Sequence, residues 1–286
     1  IAHIHGGEVT EGAFDEAIRH SVTKMSSLHF TSCEEYRHRV IQMGEQPTRV
    51  FNVGSLGVEN TKQIPLMNKE ELEKSLDFTI KDQTILVTYH PVTLGGDPSK
   101  DIHEFLDALE TVKDLSVIFT MPNSDTGRDF IAEAIEAYVA YHKDSSKAFA
   151  SLGLKRYLST LQYVKAAVGN SSSGIIEVPS FGIPTLNIGD RQKGRLASKS
   201  VINCGTSKDE VINGLTLCLS EEMQKTAKTC ENPYAKPNTA SLIYQELKNV
   251  ELEGLNLKTF YNLKYLHVEV AKGFREKISD LFVVSL

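Results

Sequence analysis

The chain has 286 residues, of which 41% are hydrophobic, and its formal net charge is −6 at pH 7. This length is sufficient for one large core or two ordinary ones, and alternating strand and helix patterns on both sides of residue 65 favour two. The net negative charge, a pI near 5.9 and the lack of Lys or Arg runs argue against a nucleic-acid-binding or membrane-surface protein.

No apolar run approaches the roughly 18 to 20 residues that span a bilayer, and no signal segment opens the chain. A cytoplasmic protein without a membrane partner is therefore expected. The cysteines lack Cys-x-x-Cys spacing and are predicted to be buried reduced thiols rather than disulfides or zinc ligands: Cys33, Cys204, Cys218 and Cys230. Because the chain opens on Ile1, in what reads as the later half of a strand, we expect a segment upstream.

Residues 1–65 are predicted to form the later part of an α/β domain, because each short apolar strand is followed by a helix. The predicted elements are a strand at 1–4, a helix at 14–25, a strand at 28–31, a helix at 34–43 and a strand at 49–53. The apolar residues of the first helix form one stripe that is expected to face the core: Phe14, Ala17, Ile18, Val22 and Met25. Gly54, Gly57 and Pro65 then predict a hinge at 54–68.

Residues 66–250 are predicted to form a second α/β domain with a parallel, doubly wound sheet. Its predicted strands are 84–89, 115–120, 148–152, 164–168, 185–188 and 201–203. Its predicted helices are 101–112, 130–142, 155–164, 174–181, 208–222 and 239–250. Residues 251–286 form a tail without a domain assignment, with a helical pattern near 270–278 and a strand-like pattern at 281–286.

Polar residues follow four of these strands, and ligands bind such sheets at the carboxyl ends of the strands. His90 ends the first strand, Asn123 and Asp125 follow the second, residues 170–173 follow the fourth, and Asp190 with Arg191 follow the fifth. Four strand ends that carry polar groups to one edge predict a ligand site there.

The strand at 164–168 continues into a loop of small residues at 169–174 and then into a helix. Free backbone N–H groups at such a helix start favour an anion, so the pattern predicts a phosphate cradle. Glu177, about one turn further, could accept two hydrogen bonds from a sugar diol. A nucleotide would use both features, although an ordinary turn with a serine N-cap fits the local pattern equally well.

The stretch His3-Ile-His5-Gly-Gly-Glu8 places two imidazoles on one face of a strand, followed by a turn that brings a carboxylate to the same edge. An acid/base cluster or a substrate contact is favoured over a divalent metal, because no third ligand stands at a fixed spacing. Histidines that bond only to backbone carbonyls remain the alternative.

Three further loops carry candidate residues. His90 precedes Pro91, which presents it at the strand end, where it could donate to a phosphate or a leaving oxygen. The loop at 189–195 holds three cations and two glycines, which suits a diphosphate or a solvated surface. The turn at 122–127 is compatible with an ordinary polar loop.

Taken together, six motifs resemble the hydrolysing UDP-N-acetylglucosamine 2-epimerases of the sialic acid type, whose close relatives act on UDP-diacetylbacillosamine. The motifs are His3-Ile-His-Gly-Gly-Glu8, Asp15-Glu-Ala-Ile-Arg-His20, His90-Pro-Val-Thr93, Asn123-Ser-Asp-Thr-Gly127, Gly169-Asn-Ser-Ser-Ser-Gly174 and Gly189-Asp-Arg-Gln192. The resemblance covers residues 1 to about 245. It implies an α/β protein of the glycosyltransferase-B type, with two Rossmann-like domains at 1–65 and 66–250, the first incomplete.

The resemblance also implies a mechanism without metal or cofactor, in which UDP is eliminated and water then adds to the resulting 2-acetamidoglucal. The implied catalytic residues are His5, Glu8, Asp15 and His90. The implied substrate-binding residues are Asn123, Asp125, Gly127, Asn170, Ser171, Ser172, Ser173, Gly174, Glu177 and Arg191. Animal-type relatives have Glu in place of His5, so the acid/base roles among His5, Glu8 and Asp15 stay open.

The same resemblance implies a UDP-sugar substrate and a homo-oligomer. About three strand-and-helix units of roughly 30 residues each that open the family's first domain are not found, so the chain alone could bind a UDP-sugar without turnover. A retaining glycosyltransferase shares the cradle and the ribose glutamate, but it does not explain the cluster of His5, Glu8 and Asp15.

Overall fold

The computed structural model describes residues 1–10, 15–91, 97–123 and 127–263. In these residues the chain forms two parallel sheets. The first sheet with its helices is called the first unit, and the second sheet with its helices is called the second unit. The first sheet has the order β1-β2-β3 and consists of β1 (Ala2–Ile4), β2 (Leu28–Thr31) and β3 (Val50–Asn52). Helices α1 (Asp15–Met25) and α2 (Glu34–Gln42) connect its strands.

The second sheet has six parallel strands in the order β6-β5-β4-β7-β8-β9. They are β4 (Thr84–Thr88), β5 (Ser116–Thr120), β6 (Ser146–Phe149), β7 (Ala166–Gly169), β8 (Thr185–Ile188) and β9 (Val201–Cys204). Its strands are connected by α5 (Pro98–Leu109), α6 (Arg128–Tyr141), α7 (Gly153–Leu161) and α8 (Ser172–Ile176), and β9 is followed by α9 (Lys208–Leu219) and α10 (Glu221–Thr229). The predicted α/β fold with parallel sheets is confirmed.

Apolar side chains cover both faces of the second sheet. Along β4, Ile85 and Val87 belong to the cluster on one face, whereas Leu86 belongs to the cluster on the other. Alternate residues of a strand point to opposite faces, so a strand covered on both sides is apolar along its covered length, as it is here at Ile85, Leu86 and Val87. The buried sheet is the rigid frame that carries the loops at its carboxyl edge.

The predicted hinge at 54–68 instead contains helix α3 (Leu56–Gln63), and helix α4 (Lys69–Leu76) follows it. Gly57 lies inside the first turn of α3, where a glycine does not interrupt a helix. An N-cap at Asn68, whose side chain accepts from the N–H of Glu71 at 2.9 Å, starts α4.

Other predicted boundaries also shift. The predicted helix at 208–222 is two helices, because Ser220 ends α9 and caps α10 by accepting from the N–H of Met223 at 3.2 Å. The predicted strand at 148–152 lies earlier, in β6. The predicted helix at 174–181 is the short α8 followed by a 3₁₀ turn at Val178–Phe181.

Helix α1 contradicts the predicted orientation of its apolar stripe. Ile18 is 55% exposed and Met25 is 61% exposed, whereas Thr23 is buried. The polar face turns inward because its side chains bond to the first unit: Thr23 to His3 at 3.0 Å, and Arg19 to Thr10 at 3.1 Å. Periodicity located the two faces of this helix but assigned them the wrong way round.

The end of the described chain returns to the first sheet. Helix α11 (Thr239–Asn249) packs against α3, and Thr239 Oγ1 donates to the carbonyl of Val53 at 2.8 Å. Residues 251–263 then run along the first unit, where the N–H of Tyr261 donates to the carbonyl of Gly44 at 2.8 Å. The patterns predicted at 270–278 and 281–286 lie outside the described residues.

Among the described residues, no helix combines the length and apolar character needed to cross a membrane. All four cysteines are free, as predicted; Cys33 and Cys218 are buried, and Cys204 and Cys230 are half-buried.

Candidate active site

The predicted phosphate cradle lies where β7 passes into α8. Gly169 has φ +131°, and a Cβ on it would lie 2.0 Å from the carbonyl oxygen of Thr88, so only glycine fits. Ser171 caps α8 and its hydroxyl accepts from the N–H of Ser173. The turn therefore presents the half-buried hydroxyls of Ser171, Ser172 and Ser173, with Gly174 buried beneath them.

Asn170 joins three of the predicted strand ends. Its Oδ1 accepts from the N–H of His90 at 2.7 Å, and its Nδ2 donates to the carbonyl of His90 at 2.8 Å. Its own carbonyl accepts from Arg191 Nη1 at 3.1 Å and from Gln192 Nε2 at 2.9 Å. The ends of β4, β7 and β8 are thus held together by one buried amide, as the parallel sheet allows.

The contacts of His90 define its tautomer. Its Nδ1 accepts from the backbone N–H of Asn123 at 3.3 Å, and that nitrogen therefore carries no proton. The proton of the neutral ring is on Nε2, which makes His90 a hydrogen-bond donor at the carboxyl edge. Gly127, with φ +90°, precedes α6 and faces Pro91; Asp125 lies outside the described residues.

Glu177 lies at the end of α8, half-buried between the two units. Burial raises its pKa to about 7, although a hydrogen bond from Ser173 works against the rise. Ser173 is in turn held by the hydroxyl of Tyr157, which donates to it at 2.7 Å. From the first unit, Gly57 approaches so closely that a Cβ there would lie 2.1 Å from Glu177 Oε1.

On the other side of the cleft between the two units, His5 and Glu8 form a hydrogen-bonded pair just after β1. His5 Nδ1 lies 2.7 Å from Glu8 Oε1, and Ser32 Oγ donates to the same oxygen at 3.1 Å. His5 has φ +64°, an unusual and strained conformation for a residue with a side chain. His5 is among the groups that lower the pKa of Glu177, so the two side chains lie within electrostatic range across the cleft.

The surroundings of Glu8 keep it ionised. Burial alone would raise its pKa, but the hydrogen bond from His5 and the charges of Arg195 and Arg19 outweigh burial and hold the pKa at about 2. Arg195 Nη1 lies 2.8 Å from Glu8 Oε2, and Arg19 Nη1 lies 3.5 Å from it. An ionised carboxylate only accepts, so the proton between the pair is on His5 Nδ1, and whenever the ring is neutral its lone pair is on Nε2.

The remaining predicted residues are more dispersed. Asp15 is exposed in the first turn of α1, and the next residue, Glu16, is also acidic. His3, the other imidazole of the opening motif, bonds to Thr23 Oγ1 rather than to the Glu8 pair. Within the described residues, no group of three or more His, Cys, Asp or Glu side chains is arranged to hold a metal ion.

The loop at 189–195 does not direct all three of its cations to one anion. Arg191 bonds to the cradle at Asn170, Lys193 is exposed, and Arg195 crosses to Glu8. Beside the loop, a cavity of about 450 Å³ opens at the carboxyl ends of β8 and β9. Sequence patterns did not identify Arg195 or Tyr157 as site residues, because their partners are distant in the chain or on another element.

A family profile described as UDP-N-acetylglucosamine 2-epimerase matches residues 1–248. The chain is 40% identical over 266 residues to the polysialic acid biosynthesis protein P7 of Escherichia coli, covering 92% of this chain and 67% of the relative. It is 42% identical over 271 residues to the GDP/UDP-N,N'-diacetylbacillosamine 2-epimerase (hydrolyzing) of Campylobacter jejuni, covering 92% and 68%. It thus spans about two thirds of the length of these relatives.

Solved structures show the same fold at low identity. The UDP-GlcNAc 2-epimerase of Neisseria meningitidis bound to UDP-GlcNAc aligns with a TM-score of 0.72 at 17% identity, covering 87% of this chain and 70% of that one. The Staphylococcus aureus MnaA structure with UDP aligns with a TM-score of 0.71 at 18% identity, covering 93% and 72%.

Proposed function

The chain belongs to the UDP-N-acetylglucosamine 2-epimerase family, and from this membership we propose that it catalyses the hydrolysing 2-epimerisation of a UDP-linked 2-acetamido hexose. The observation that carries the proposal is the position of His5, which is held by an ionised Glu8 on one wall of the cleft and lies within electrostatic range of Glu177 beside the cradle on the other.

The proposed reaction has two steps. A base removes the proton from C2 of the hexose, and the electron pair of the C2–H bond forms a C1–C2 double bond. The C1–O bond breaks at the same time, and UDP leaves with the electron pair of that bond. Water then adds to the 2-acetamidoglucal: its hydroxyl bonds to C1, and a proton bonds to C2 on the face opposite to the one from which the first proton was removed. The products are UDP and the free sugar inverted at C2.

In this proposal His5 accepts the C2 proton at Nε2, while Glu8 holds the ring and stabilises the imidazolium that forms. Glu8 is therefore not itself the acid or the base. Asp15 is assigned to the second proton transfer, in the step that adds water. His90 donates from Nε2 to the diphosphate, where negative charge develops as UDP departs.

The nucleotide is assigned to the second unit. The diphosphate occupies the turn at 170–174, with Arg191 beside it. Glu177 accepts from the ribose hydroxyls, and the base lies toward Asn123 and Gly127, at the end of β5. Charged hydrogen bonds of this kind contribute about 1.5–3 kcal/mol each, which is sufficient to anchor the leaving group during both steps.

Two sugars are candidates, because one relative is named for polysialic acid biosynthesis and another for diacetylbacillosamine. In the test, the protein at its natural length is incubated in D₂O with UDP-N-acetylglucosamine or with UDP-N,N'-diacetylbacillosamine, and no acceptor is added. We expect release of UDP together with a free 2-epimeric sugar that carries deuterium at C2. Release of UDP without deuterium at C2 would contradict elimination, and binding without release would indicate a UDP-sugar-binding protein.

A further inference from the structure

Among the described residues, a nearly buried ion pair joins the two units at the candidate site. The side chain of Arg195, from the loop after β8, is 6% exposed, and that of Glu8, from the loop after β1, is 4% exposed. They lie 187 residues apart in the sequence and 2.8 Å apart in space. Removing one partner of such a pair leaves an uncompensated buried charge, so the contact is energetically significant.

The guanidinium of Arg195 is oriented by a second contact in the first unit. Its Nη2 donates to Thr10 Oγ1 at 3.3 Å while Nη1 bonds to Glu8. The planar fork of an arginine suits two simultaneous acceptors in a way that a lysine ammonium does not. The neighbouring Leu196 donates its N–H to the hydroxyl of Tyr36 at 3.1 Å, so the end of this loop is attached to the first unit by more than one contact.

The beginning of the same loop is attached to the cradle. Arg191 and Gln192 both donate to the carbonyl of Asn170, and Asn170 clamps the backbone of His90. One loop therefore bonds at its start to the turn assigned to the diphosphate and at its end to the carboxylate that holds His5. The carbonyl of Gln192 accepts from the backbone N–H of Arg195 at 3.2 Å, so hydrogen bonds connect His90 on one unit with His5 on the other.

His5 depends on that support. Its φ of +64° costs about 1–2 kcal/mol for a residue that is not glycine, and such strain persists only where the surroundings determine the conformation. Its N–H donates to the carbonyl of Phe30 at 2.8 Å, which places the backbone, while Glu8 orients the ring.

We propose that Arg195 is a positioning residue for proton abstraction: by holding Glu8 against His5 from the loop seated on the diphosphate cradle, it aligns the base when the nucleotide unit and the first unit are together. The proposal rests on the proposed function, since it assigns Arg195 to the base of that reaction. Arg195 does not touch the substrate in this assignment. Its loss should therefore affect the rate of the chemical step and leave nucleotide affinity in place.

The kinetic test compares Arg195→Met and Arg195→Lys with Lys193→Met, an exposed cation of the same loop, in the protein at its natural length. We expect Arg195→Met to lower kcat by about 10- to 100-fold, because small misplacement of a reacting group has effects of this size. The dissociation constant for UDP should stay within about threefold of the wild-type value by calorimetry, the range that leaves the charged phosphate contacts intact. Arg195→Lys should lie between wild type and Arg195→Met, and Lys193→Met should match wild type.

A double-mutant cycle separates positioning from independent effects. If Arg195 acts through Glu8, the loss of kcat in the pair Glu8→Gln and Arg195→Met will not exceed the loss in Glu8→Gln alone. Losses that multiply would overturn the proposal. So would an Arg195→Met protein with unchanged kcat, or one whose UDP affinity falls in step with its rate, since the latter marks a direct phosphate ligand.

A measurement without turnover keeps this inference distinct from the proposed function. In ¹⁵N spectra of histidine-labelled protein, His5 should carry its proton on Nδ1 in the wild type and lose that preference in Arg195→Met. An unchanged tautomer in the variant would overturn the positioning role. If neither UDP-sugar is turned over by the wild type but the tautomer responds as expected, the proposed function fails while the link from Arg195 to His5 stands. Arg195→Lys, which keeps the buried charge, gives the same spectrum to read should Arg195→Met not fold.

Discussion

Glu8 and Glu177 face the same cleft, yet their surroundings shift their pKa values in opposite directions. Glu8 accepts bonds from His5 and Ser32 beside two arginines, and its pKa falls to about 2. Glu177 accepts a hydrogen bond from Ser173, but burial outweighs it and raises the pKa of Glu177 to about 7. Burial penalises the charged form in both cases, so the difference arises from the hydrogen bond of His5 and the charges of Arg195 and Arg19 at Glu8.

The raised pKa of Glu177 predicts a pH-dependent affinity for UDP. Below about pH 7 the carboxyl is protonated and is a poorer acceptor for the two ribose hydroxyls. Affinity should therefore rise as pH increases through about 7, beyond any effect of the phosphate's own titration. In calorimetric titrations across this range, the UDP affinity of Glu177→Gln should depend less on pH than that of the wild type. Glu177→Ala should weaken UDP binding by about 1–3 kcal/mol. Parallel curves for wild type and Glu177→Gln would remove Glu177 from the ribose site.

The tautomer of His90 predicts a large effect on turnover. With Nδ1 occupied by the N–H of Asn123, the ring offers Nε2–H to the departing diphosphate. His90→Ala should lower kcat by about 10²- to 10⁴-fold if the ring serves as a proton donor. The matched control is His103→Ala, because His103 is an exposed histidine on α5. A loss below tenfold in His90→Ala would assign the ring to packing.

At the scale of elements, the site depends on how β7 turns into α8. Helix α8 has only five residues, so its dipole is small and the cradle relies on local N–H groups and hydroxyls. The turn requires the chain to leave β7 directly beside β4, with Gly169 in contact with Thr88. The small residues that follow keep side chains out of the space that the diphosphate would occupy.

Gly169→Ala should abolish this turn. The new Cβ would meet the carbonyl oxygen of Thr88 at 2.0 Å, at a φ of +131° that residues with side chains rarely adopt. Thermal denaturation should show a loss of well over the 1–3 kcal/mol expected from backbone strain alone, and UDP binding should disappear. Gly153→Ala is the control, since Gly153 also has positive φ but has no atom within 4 Å of the added Cβ. Equal losses in both variants would show that the clash at Thr88 is relieved by movement.

At the scale of the whole molecule, the described end of the chain braces the first unit. Lys258 reaches Glu45 at 2.8 Å, and Glu45 also bonds to Lys24 at 2.6 Å and to the fully buried His29 at 3.0 Å. Phe260 lies against Gly44 and under the ammonium of Lys24. Residues that follow the second unit therefore stabilise the first.

This cluster predicts that stability falls in mild acid. Burial lowers the pKa of His29 to about 4, although Glu45 favours the charged ring and Lys258 opposes it. The unfolded chain binds a proton near pH 6.5, whereas the folded chain binds it only near pH 4, so stability is lost as pH falls between these values. The loss is on the order of 3 kcal/mol. When denaturant unfolding is measured at several pH values, the free energy of unfolding should change less with pH in His29→Gln than in the wild type. An equal change with pH in both proteins would assign the acid sensitivity to another group.

Much of the architecture follows from local pattern. Short apolar strands that alternate with helices predict parallel sheets, and the boundaries of β2 and β8 agree with the prediction residue for residue. Parallel strands bring their carboxyl ends to one edge, which is why His90, Asn123 and Asn170 could be placed together in advance. The small-residue turn before α8 was also recognisable, because few side chains fit between a strand and a helix that lie so close.

Only the tertiary structure decided which groups share a proton or a charge. The inward polar face of α1, the pairing of Arg195 with Glu8 and the opposite pKa shifts of Glu8 and Glu177 depend on elements that are distant in the sequence. A pattern of one element states which residues lie on the same face, but the partner of that face is chosen by packing between units. For this reason the loop at 189–195 read as a set of equivalent cations in the sequence, whereas in the folded chain Arg191 bonds to the cradle, Lys193 is exposed and Arg195 bonds across the cleft.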